Sequence, residues 1–297
     1  MSAFSLPSSL RGLWRLLRDT VEGFIDDEVL SRGASIAYYT LFSLAPILLI
    51  TIAIAGLAFG RDAARGAIVK QLSGLMGGKS AEALQAMIES ASDPKTGLTA
   101  SLVGILAAAI TLTGAFGEVQ SALNAIWKAK SKRSTLSRLV RARLASLGLV
   151  LTSGFLLTVS LVVSAALAAL SNYLKAVFPA AELALQIADI VISGVLLTGM
   201  FAAIFKILPD TPIAWRDVAI GALFTAGLFE GGKYAIALYI GKSDVASSYG
   251  AAAALIILLL WIFYSAQIFL LGAEFTRAFA RRYGSHAAGE VNSPIPS

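Results

Sequence analysis

Glu230 and Lys233 stand three positions apart inside a stretch that is otherwise apolar. On a helix, side chains at i and i+3 share a face, so this carboxylate and ammonium can pair and partly neutralise each other. Gly227, Gly231 and Gly232 surround them, which permits close helix approach or a local break in the helix. Asp189 lies in a second apolar stretch, and Glu118 and Glu274 lie near the ends of two more. A charge in such a segment is costly and is a functional hypothesis by default. Two readings of Glu230 and Lys233 stay open: a structural ion pair, or the lining of a polar translocation path that would include Asp189. Glu118 and Glu274 read as helix-end residues within reach of water and stay candidates for the same path. Tyr38 and Tyr39, at the start of the first apolar stretch, read as interfacial belt residues and are retained as path candidates.

Enzyme chemistry finds little material. The only histidine is His286, in a polar tail, so no histidine-based triad or zinc site is available within the apolar segments. There is no cysteine, which removes disulfides and thiolate metal sites. Asp26, Asp27 and Glu28 are consecutive; on a helix they point about 100° apart, the wrong arrangement for a two-metal carboxylate site. No Walker loop or dinucleotide fingerprint appears. No enzyme activity and no cofactor or metal are expected.

The elements that must position these residues follow from composition. Only 14% of the 297 residues are charged and 57% are hydrophobic, against about a quarter charged in a soluble domain. Much of the surface therefore faces lipid. A helical span needs about 20 mostly apolar residues, and six stretches qualify: Ile36 to Phe59, Leu98 to Val119, Leu144 to Leu170, Leu183 to Leu208, Val218 to Ile240 and Gly250 to Phe275. Small residues are abundant inside them, as close helix approach in lipid requires. The alternating pattern of a membrane barrel is absent. The N-terminus lacks the short apolar stretch and small-residue cleavage site of a removable signal peptide.

Basic residues set the orientation. Sixteen of the 24 fall on one side: Arg11, Arg15, Arg18 and Arg32; Lys128, Lys130, Lys132, Arg133, Arg138, Arg141 and Arg143; Lys206 and Arg216; Arg277, Arg281 and Arg282. Seven fall on the other, five of them in the long first loop, and Lys233 is intramembrane. Both termini and the second connection are expected in the cytoplasm. The basic second connection has no aromatic beyond Trp127 at its edge, whereas single-stranded nucleic acid binding uses several stacking platforms. It reads as a topology determinant that attracts anionic lipid headgroups, and no nucleic-acid partner is expected.

Two further segments carry helical periodicity. Leu10, Leu13, Trp14, Leu17, Val21 and Phe24 recur at helical spacing, with Arg11, Arg15 and Arg18 on another face. This reads as an amphipathic helix on the inner leaflet. In the first outer loop, Ile68, Val69, Leu72, Leu75 and Met76 form a stripe broken at Gly77-Gly78. Ser80 can cap a second helix bearing Leu84, Met87 and Ile88. Pro46 loosens the first span, where Ser43 is expected to rebond the freed backbone.

The expected fold is all-α: a polytopic membrane bundle of six transmembrane helices with an N-terminal amphipathic interfacial helix and a helical outer loop. The cytoplasmic N-terminal segment covers 1–35. The membrane domain covers 36–280, with the outer loop at 60–97 and a basic cytoplasmic loop at 120–143. A disordered cytoplasmic tail covers 281–297.

Four separated signatures resemble the YihY/virulence factor BrkB family. They are the run from Arg32 to Pro46, Gly114 with Leu123-Asn124-Ala125-Ile126-Trp127, and Leu208-Pro209 with Trp215-Arg216 and Gly221-Ala222. The fourth is Tyr249-Gly250 with the run from Leu260 to Ser265 and Leu271-Gly272-Ala273-Glu274. The likeness covers about Phe24 to Ala280 and departs at Ala115-Phe116, where a small polar pair is expected. It implies a bacterial inner-membrane protein of the cell envelope, linked in some members to serum resistance. The ribonuclease BN label that family once carried finds no support in these residues. Movement of envelope lipids is the activity the resemblance suggests.

Three functions follow. The first is a transporter moving a lipid or other amphiphile between leaflets, with Glu230, Lys233 and Asp189 as a polar path and membrane lipids as partners. The second is a non-transporting envelope scaffold, acting as a homo-oligomer or with other envelope proteins. The third is a proton- or ion-coupled exporter of small solutes with Glu230 as carrier.

Overall fold

The computed structural model describes residues 8–60, 62, 63, 65, 66, 68–70, 85, 114–129, 181–242 and 253–285. Among these every regular element is a helix and no strand occurs. They are α1 (Ser8–Asp26) and α2 (Val29–Phe59), the described part of α3 (114–126), α4 (Ala181–Ile207), α5 (Trp215–Lys242) and α6 (Ala253–Arg282). The spans expected at 36–59, 183–208, 218–240 and 250–275 fall on α2, α4, α5 and α6. The stretch 98–119 is described only from residue 114. The stretch 144–170 and nearly all of the expected outer-loop hairpin lie outside the described residues, although Ile68 and Val69 pack against an apolar cluster that α2 and α6 form together.

Two described helices are long and apolar enough by themselves to cross a membrane, at Ile190–Ile207 and Leu255–Arg282, with mean hydropathies of 2.2 and 2.3. Only 11% of the first window is buried, with Ile190, Val191 and Val195 turned outward. A helix in the core of a soluble protein would bury such a face. An apolar helix surface left outside is what a lipid solvent allows.

The helices approach closely where the sequence supplies small residues. On α5, Gly221 and Thr225 are four apart; on α6, Gly272 and Thr276 repeat the spacing. A Cβ at Gly221 would collide with the Thr276 side chain, and one at Gly272 with Thr225. Each threonine hydroxyl donates back along its own helix, Thr225 to the Gly221 carbonyl (2.7 Å) and Thr276 to the Gly272 carbonyl (2.6 Å). The polar atoms are thus satisfied inside each helix while the methyls fill the neighbour's gap. Beside this contact lies the main apolar core. Phe205, Leu123, Ile126, Val218 and Leu270 are fully buried there, and Phe205 stacks on Phe269 at 5.3 Å.

Both ends of this core are tied by polar bonds. The α4–α5 connection docks on α3, where Asn124 donates to Asp210 (2.9 Å) and accepts from its backbone N–H (2.8 Å). Gln120 donates to the Leu208 carbonyl (3.2 Å). Just past α6, the Ser285 N–H and hydroxyl both donate to buried Asp217 in the first turn of α5 (2.9 and 2.7 Å).

Several sequence expectations need correction. α2 begins at Val29, so Arg32 lies within the first-span helix. Residues 120–126 are helical, and the second connection starts after them. Arg281 and Arg282, assigned to a disordered tail, still belong to α6. Ser43 does not rebond the carbonyl freed by Pro46: its hydroxyl donates to the Thr40 carbonyl at 3.0 Å. A helical serine reaches only back toward i−3 or i−4, whereas the freed acceptor belongs to Phe42.

Candidate functional site

α1 presents three faces. Leu13, Trp14, Leu17, Val21 and Ile25 are exposed and form one apolar stripe. Arg11, Arg15, Arg18, Glu22 and Asp26 are exposed along a second face, with Arg18 donating to Glu22 at 2.7 Å. Leu16 and Thr20 are buried on the third, and the Leu16 face packs on Phe275 and Ala278 of α6. At 100° per residue the three faces lie about 120° apart. The helix is therefore fixed to the bundle by one side while its apolar stripe remains free, the geometry of a helix lying in a membrane interface.

α1 stops within one turn of Asp27. The Glu28 N–H bonds the Ile25 carbonyl (3.1 Å), and Glu28 itself takes a left-handed conformation, φ 53° and ψ 40°. α3 ends the same way. The Ala129 N–H bonds the Asn124 carbonyl (2.9 Å), the Lys128 N–H bonds the Ala125 carbonyl (3.0 Å), and Lys128 has φ 48°. That is a Schellman motif with lysine where glycine is usual. An L-residue in this region is disfavoured by roughly 1–2 kcal/mol. These two residues are the only described non-glycine residues with positive φ, and both adjoin one charge cluster.

The cluster is built from three elements. Asp27, 5% exposed at its side chain, pairs through one oxygen with Lys128 and through the other with Arg277 Nη1 at 3.1 Å. The same Nη1 lies 3.7 Å from Glu274 Oε2, whose side chain is 2% exposed. Two buried carboxylates thus flank one guanidinium, and Lys128, 58% exposed, supplies a second positive charge. The Arg32 Nε donates to the Asp27 backbone carbonyl at 2.8 Å. Glu274 reaches this position because Gly23 faces it; a Cβ there would overlap the carboxylate.

The cluster forms one wall of an open cavity of about 430 Å³, within the range of about 300–1,000 Å³ usual for ligand pockets. α1 contributes Asp19, Glu22, Gly23 and Asp26, the turn after it Asp27, and α6 Glu274, Arg277, Ala278, Arg281 and Arg282, with Lys128 completing the lining. Arg282 pairs with Asp19 at 3.0 Å. The side of α1 lining the cavity lies roughly opposite its apolar stripe. Two atoms of lining side chains, Glu274 Oε1 and Arg282 Nη1, are shut away from the open space and lack a hydrogen-bond partner. No cluster of metal-ligating side chains occurs among the described residues. The arrangement is suited to holding ions or a charged group, and it contains no nucleophile–base pair.

The structure distributes the sequence candidates unevenly. Glu274 lies in the cavity wall. Glu230 and Lys233 are paired on α5, with the Lys233 ammonium 5.4 Å from the Tyr234 ring. A narrow crevice beside Lys233, lined by Phe229, Ile236, Trp261 and Tyr264, has no room for a water molecule. Asp189 lies on α4, and its side chain is outside the described residues, as are Lys132, Arg133, Arg138, Arg141 and Arg143. Glu118 is half-buried on α3, away from the cavity lining. Tyr38 is exposed beside Phe42, with ring centroids 5.0 Å apart, and Tyr39 faces Gly114 of α3. The sequence reading missed Asp27 as a site residue and took Lys128, Arg277 and Arg282 for topology signals alone. The i,i+3 spacing of Arg277 from Glu274, the last residue of a family signature, was the available clue.

Described residues whose regular elements are all helices, with apolar helix faces turned outward, fit a membrane protein. The chain belongs to the virulence factor BrkB family, whose model matches residues 20–294. Among its relatives is a UPF0761 membrane protein of Pseudoalteromonas translucida, 31% identical over 260 residues, covering 85% of this chain and 81% of the relative. UPF0761 membrane proteins of Stenotrophomonas maltophilia and Ralstonia nicotianae are 29% and 31% identical over 86% and 84% of this chain. The chain spans only 59% and 55% of those two relatives. No solved structure matches the chain.

Proposed function

We propose that this chain is a six-span transporter of the bacterial inner membrane, moving a lipid or other amphiphile between leaflets, with both termini and the α1–α6 cavity on the cytoplasmic side. The observation that carries the reading is the cavity: a charged pocket walled by a helix whose opposite face is free and apolar. A headgroup at the bilayer surface would meet its charges while its acyl chains stay in lipid. The sixteen basic residues assigned to that side would gather anionic lipids there. With no ATP-binding motif in the sequence, movement would be passive or coupled to a gradient. Membrane lipids are the partners in this reading, nucleic acid is not, and no catalysis or cofactor is involved. The test is purified protein in vesicles carrying a fluorescent phospholipid in one leaflet. Faster exchange than in protein-free vesicles is expected, and equal rates would overturn the proposal.

A second reading, a non-transporting envelope scaffold, is favoured by the Glu230–Lys233 pair beside a crevice too narrow for water. It expects Glu230→Gln with Lys233→Met to keep full cellular function, and loss of function at normal protein levels would remove it. The same pairing gives no support to Glu230 as the carrier of a proton- or ion-coupled exporter.

A further inference from the structure

We infer that Glu274 and Asp27 together hold one exchangeable proton, and that its release frees α1 from α6 and opens the cavity between them. The inference deepens the transporter reading and rests on it for what the opening serves; the proton site itself stands on hydrogen-bond geometry. The Glu274 side chain is 2% exposed, and no protein donor reaches it. The nearest guanidinium nitrogen, Arg277 Nη1, is 3.7 Å from Oε2, beyond the usual reach of an N–H···O bond. Oε1 has no partner. The group Glu274 does meet is the Asp27 carboxyl, whose two oxygens already accept from Lys128 and Arg277. An ionised carboxylate only accepts, whereas a protonated one also carries a donor. Two acids in hydrogen-bond contact therefore need a proton between them, as in other buried carboxyl pairs. Asp27, with a cation on each oxygen, keeps the charge. Glu274 carries the proton and donates its O–H to Asp27.

The other charges around the pair are spoken for or stand apart. From α6, Arg282 is paired with Asp19, and Arg281 lies a turn beyond Arg277 in the same lining. From α1, Glu22 is paired with Arg18, and Asp26 is exposed at the cavity. On the α2 side, Arg32 is held on the Asp27 backbone carbonyl and Glu28 is exposed. α5 lies on the opposite face of α6, against Gly272 and Thr276, and its first-turn acid, Asp217, is engaged by Ser285. The charges acting directly on Glu274 are Asp27, Arg277 and Lys128, and Lys128 is 58% exposed, so water weakens its effect. Loss of the proton thus sets a second buried anion against Asp27 with one guanidinium between them. Like charges in contact repel, and these two belong to different elements, Glu274 to α6 and Asp27 to the turn that ends α1. Glu28, left-handed at φ 53°, breaks the chain there and gives α1 a hinge. Gly23 of α1 packs on the same carboxyl, so separation at this point widens the cavity that both line. The protonated state is the closed one and the ionised state the open one.

The experiment is full-length protein in lipid vesicles, followed across pH by infrared spectroscopy and by exchange of the fluorescent phospholipid, with protein-free vesicles at each pH as the baseline. A protonated-carboxyl band is expected at about pH 7, where exposed carboxylates are ionised, and it should disappear as pH rises. Exchange should climb over the same range, about tenfold per pH unit while the proton is mostly bound, as release of a single proton requires. Glu274→Gln should lack the band. Its amide donates to Asp27 as the acid does, so the cavity should stay closed and exchange slow at every pH. Asp27→Asn, which offers Glu274 a donor in place of an anion, should shift the loss of the band to lower pH. Absence of the band from wild-type protein would overturn the inference, whatever the variants do. A band that survives Glu274→Gln would overturn it by placing the proton elsewhere, and a titrating band beside pH-independent exchange would overturn the opening. The two claims fail separately. A titrating band with no exchange at any pH would sink transport and leave the proton site; exchange at one rate across pH, with no band, would sink the site and leave transport.

Discussion

The molecule keeps two groups of ionic side chains in contrasting settings. On α5, Glu230 and Lys233 are three residues apart and bonded to each other, beside a crevice with no room for water. At the α1 end, Asp27 meets Lys128 and Arg277 from positions 101 and 250 residues away, at the wall of a cavity of about 430 Å³. The first group was visible in the sequence and is complete in itself. The second was scattered through the sequence, and assembly leaves two of its neighbouring charged atoms without partners. A local pair forms on any helix that carries it and says little about what the surrounding fold was selected to hold. Charges brought together from three elements, one of them on Lys128 in a left-handed backbone conformation, mark where the fold itself concentrates interaction free energy.

The largest test of that contrast is Arg277→Met. It leaves the carboxylates of Asp27 and Glu274 buried with no cation between them, and removing one partner of a buried ion pair costs about 3–5 kcal/mol. Thermal unfolding in detergent should show a steeper loss than any other single substitution in either charged group. A Tm within a few degrees of wild type would mean that the carboxylates are not held as charged partners, and the contrast would fail. Next is Gly272→Val, which forces a branched side chain against Thr225. Overpacking of this kind costs about 1–3 kcal/mol. It should lower the Tm while leaving lipid exchange in vesicles at the wild-type rate, since the cavity lies on the opposite face of α6. Loss of exchange at an unchanged Tm would show that the two faces are coupled.

Lys128→Gly makes a finer distinction. Glycine removes the left-handed strain at the end of α3, worth roughly 1–2 kcal/mol, and also removes a pair with Asp27 that is more than half exposed on the lysine side, worth about 1 kcal/mol or less. Stability should hold or rise slightly while lipid exchange in vesicles slows, because the cavity loses a cation. A clear drop in Tm would mean that the lysine is present for stability and not for the cavity.

What the sequence made legible follows from the range of the interactions. The stripe from Leu13 to Val21 and the long apolar runs repeat with the helix period, so α1 and the described membrane helices were readable to within several residues at their ends. Asp27 was not. In sequence it is the middle of three consecutive acids, which as a continuous helix would diverge; Glu28 breaks that helix and leaves Asp27 pointing at partners in α3 and α6. Gly23 gave no signal either, since its role appears only when Glu274 stands against it. The reciprocal Gly221/Thr225 and Gly272/Thr276 spacing was present as a small-residue pattern, but which two helices it joins depends on the antiparallel alignment of α5 and α6.

The smallest expected effect belongs to the pair the sequence displayed most openly. Glu230→Gln with Lys233→Met removes both charges together, so neither is left unpaired. With Glu230 40% exposed at its side chain, the net change in stability should stay within about 1 kcal/mol. Lipid exchange in vesicles should continue at the wild-type rate if the cavity wall, and not the middle of α5, meets the headgroup. A rate reduced at least as far as in Glu274→Gln would place the path at Glu230 after all and leave the cavity as a structural clasp for α1. Exchange abolished by Glu274→Gln and untouched by the double change would set the two regions apart in function as they already are in geometry. The pair whose spacing is most obvious would then be the one on which transport depends least.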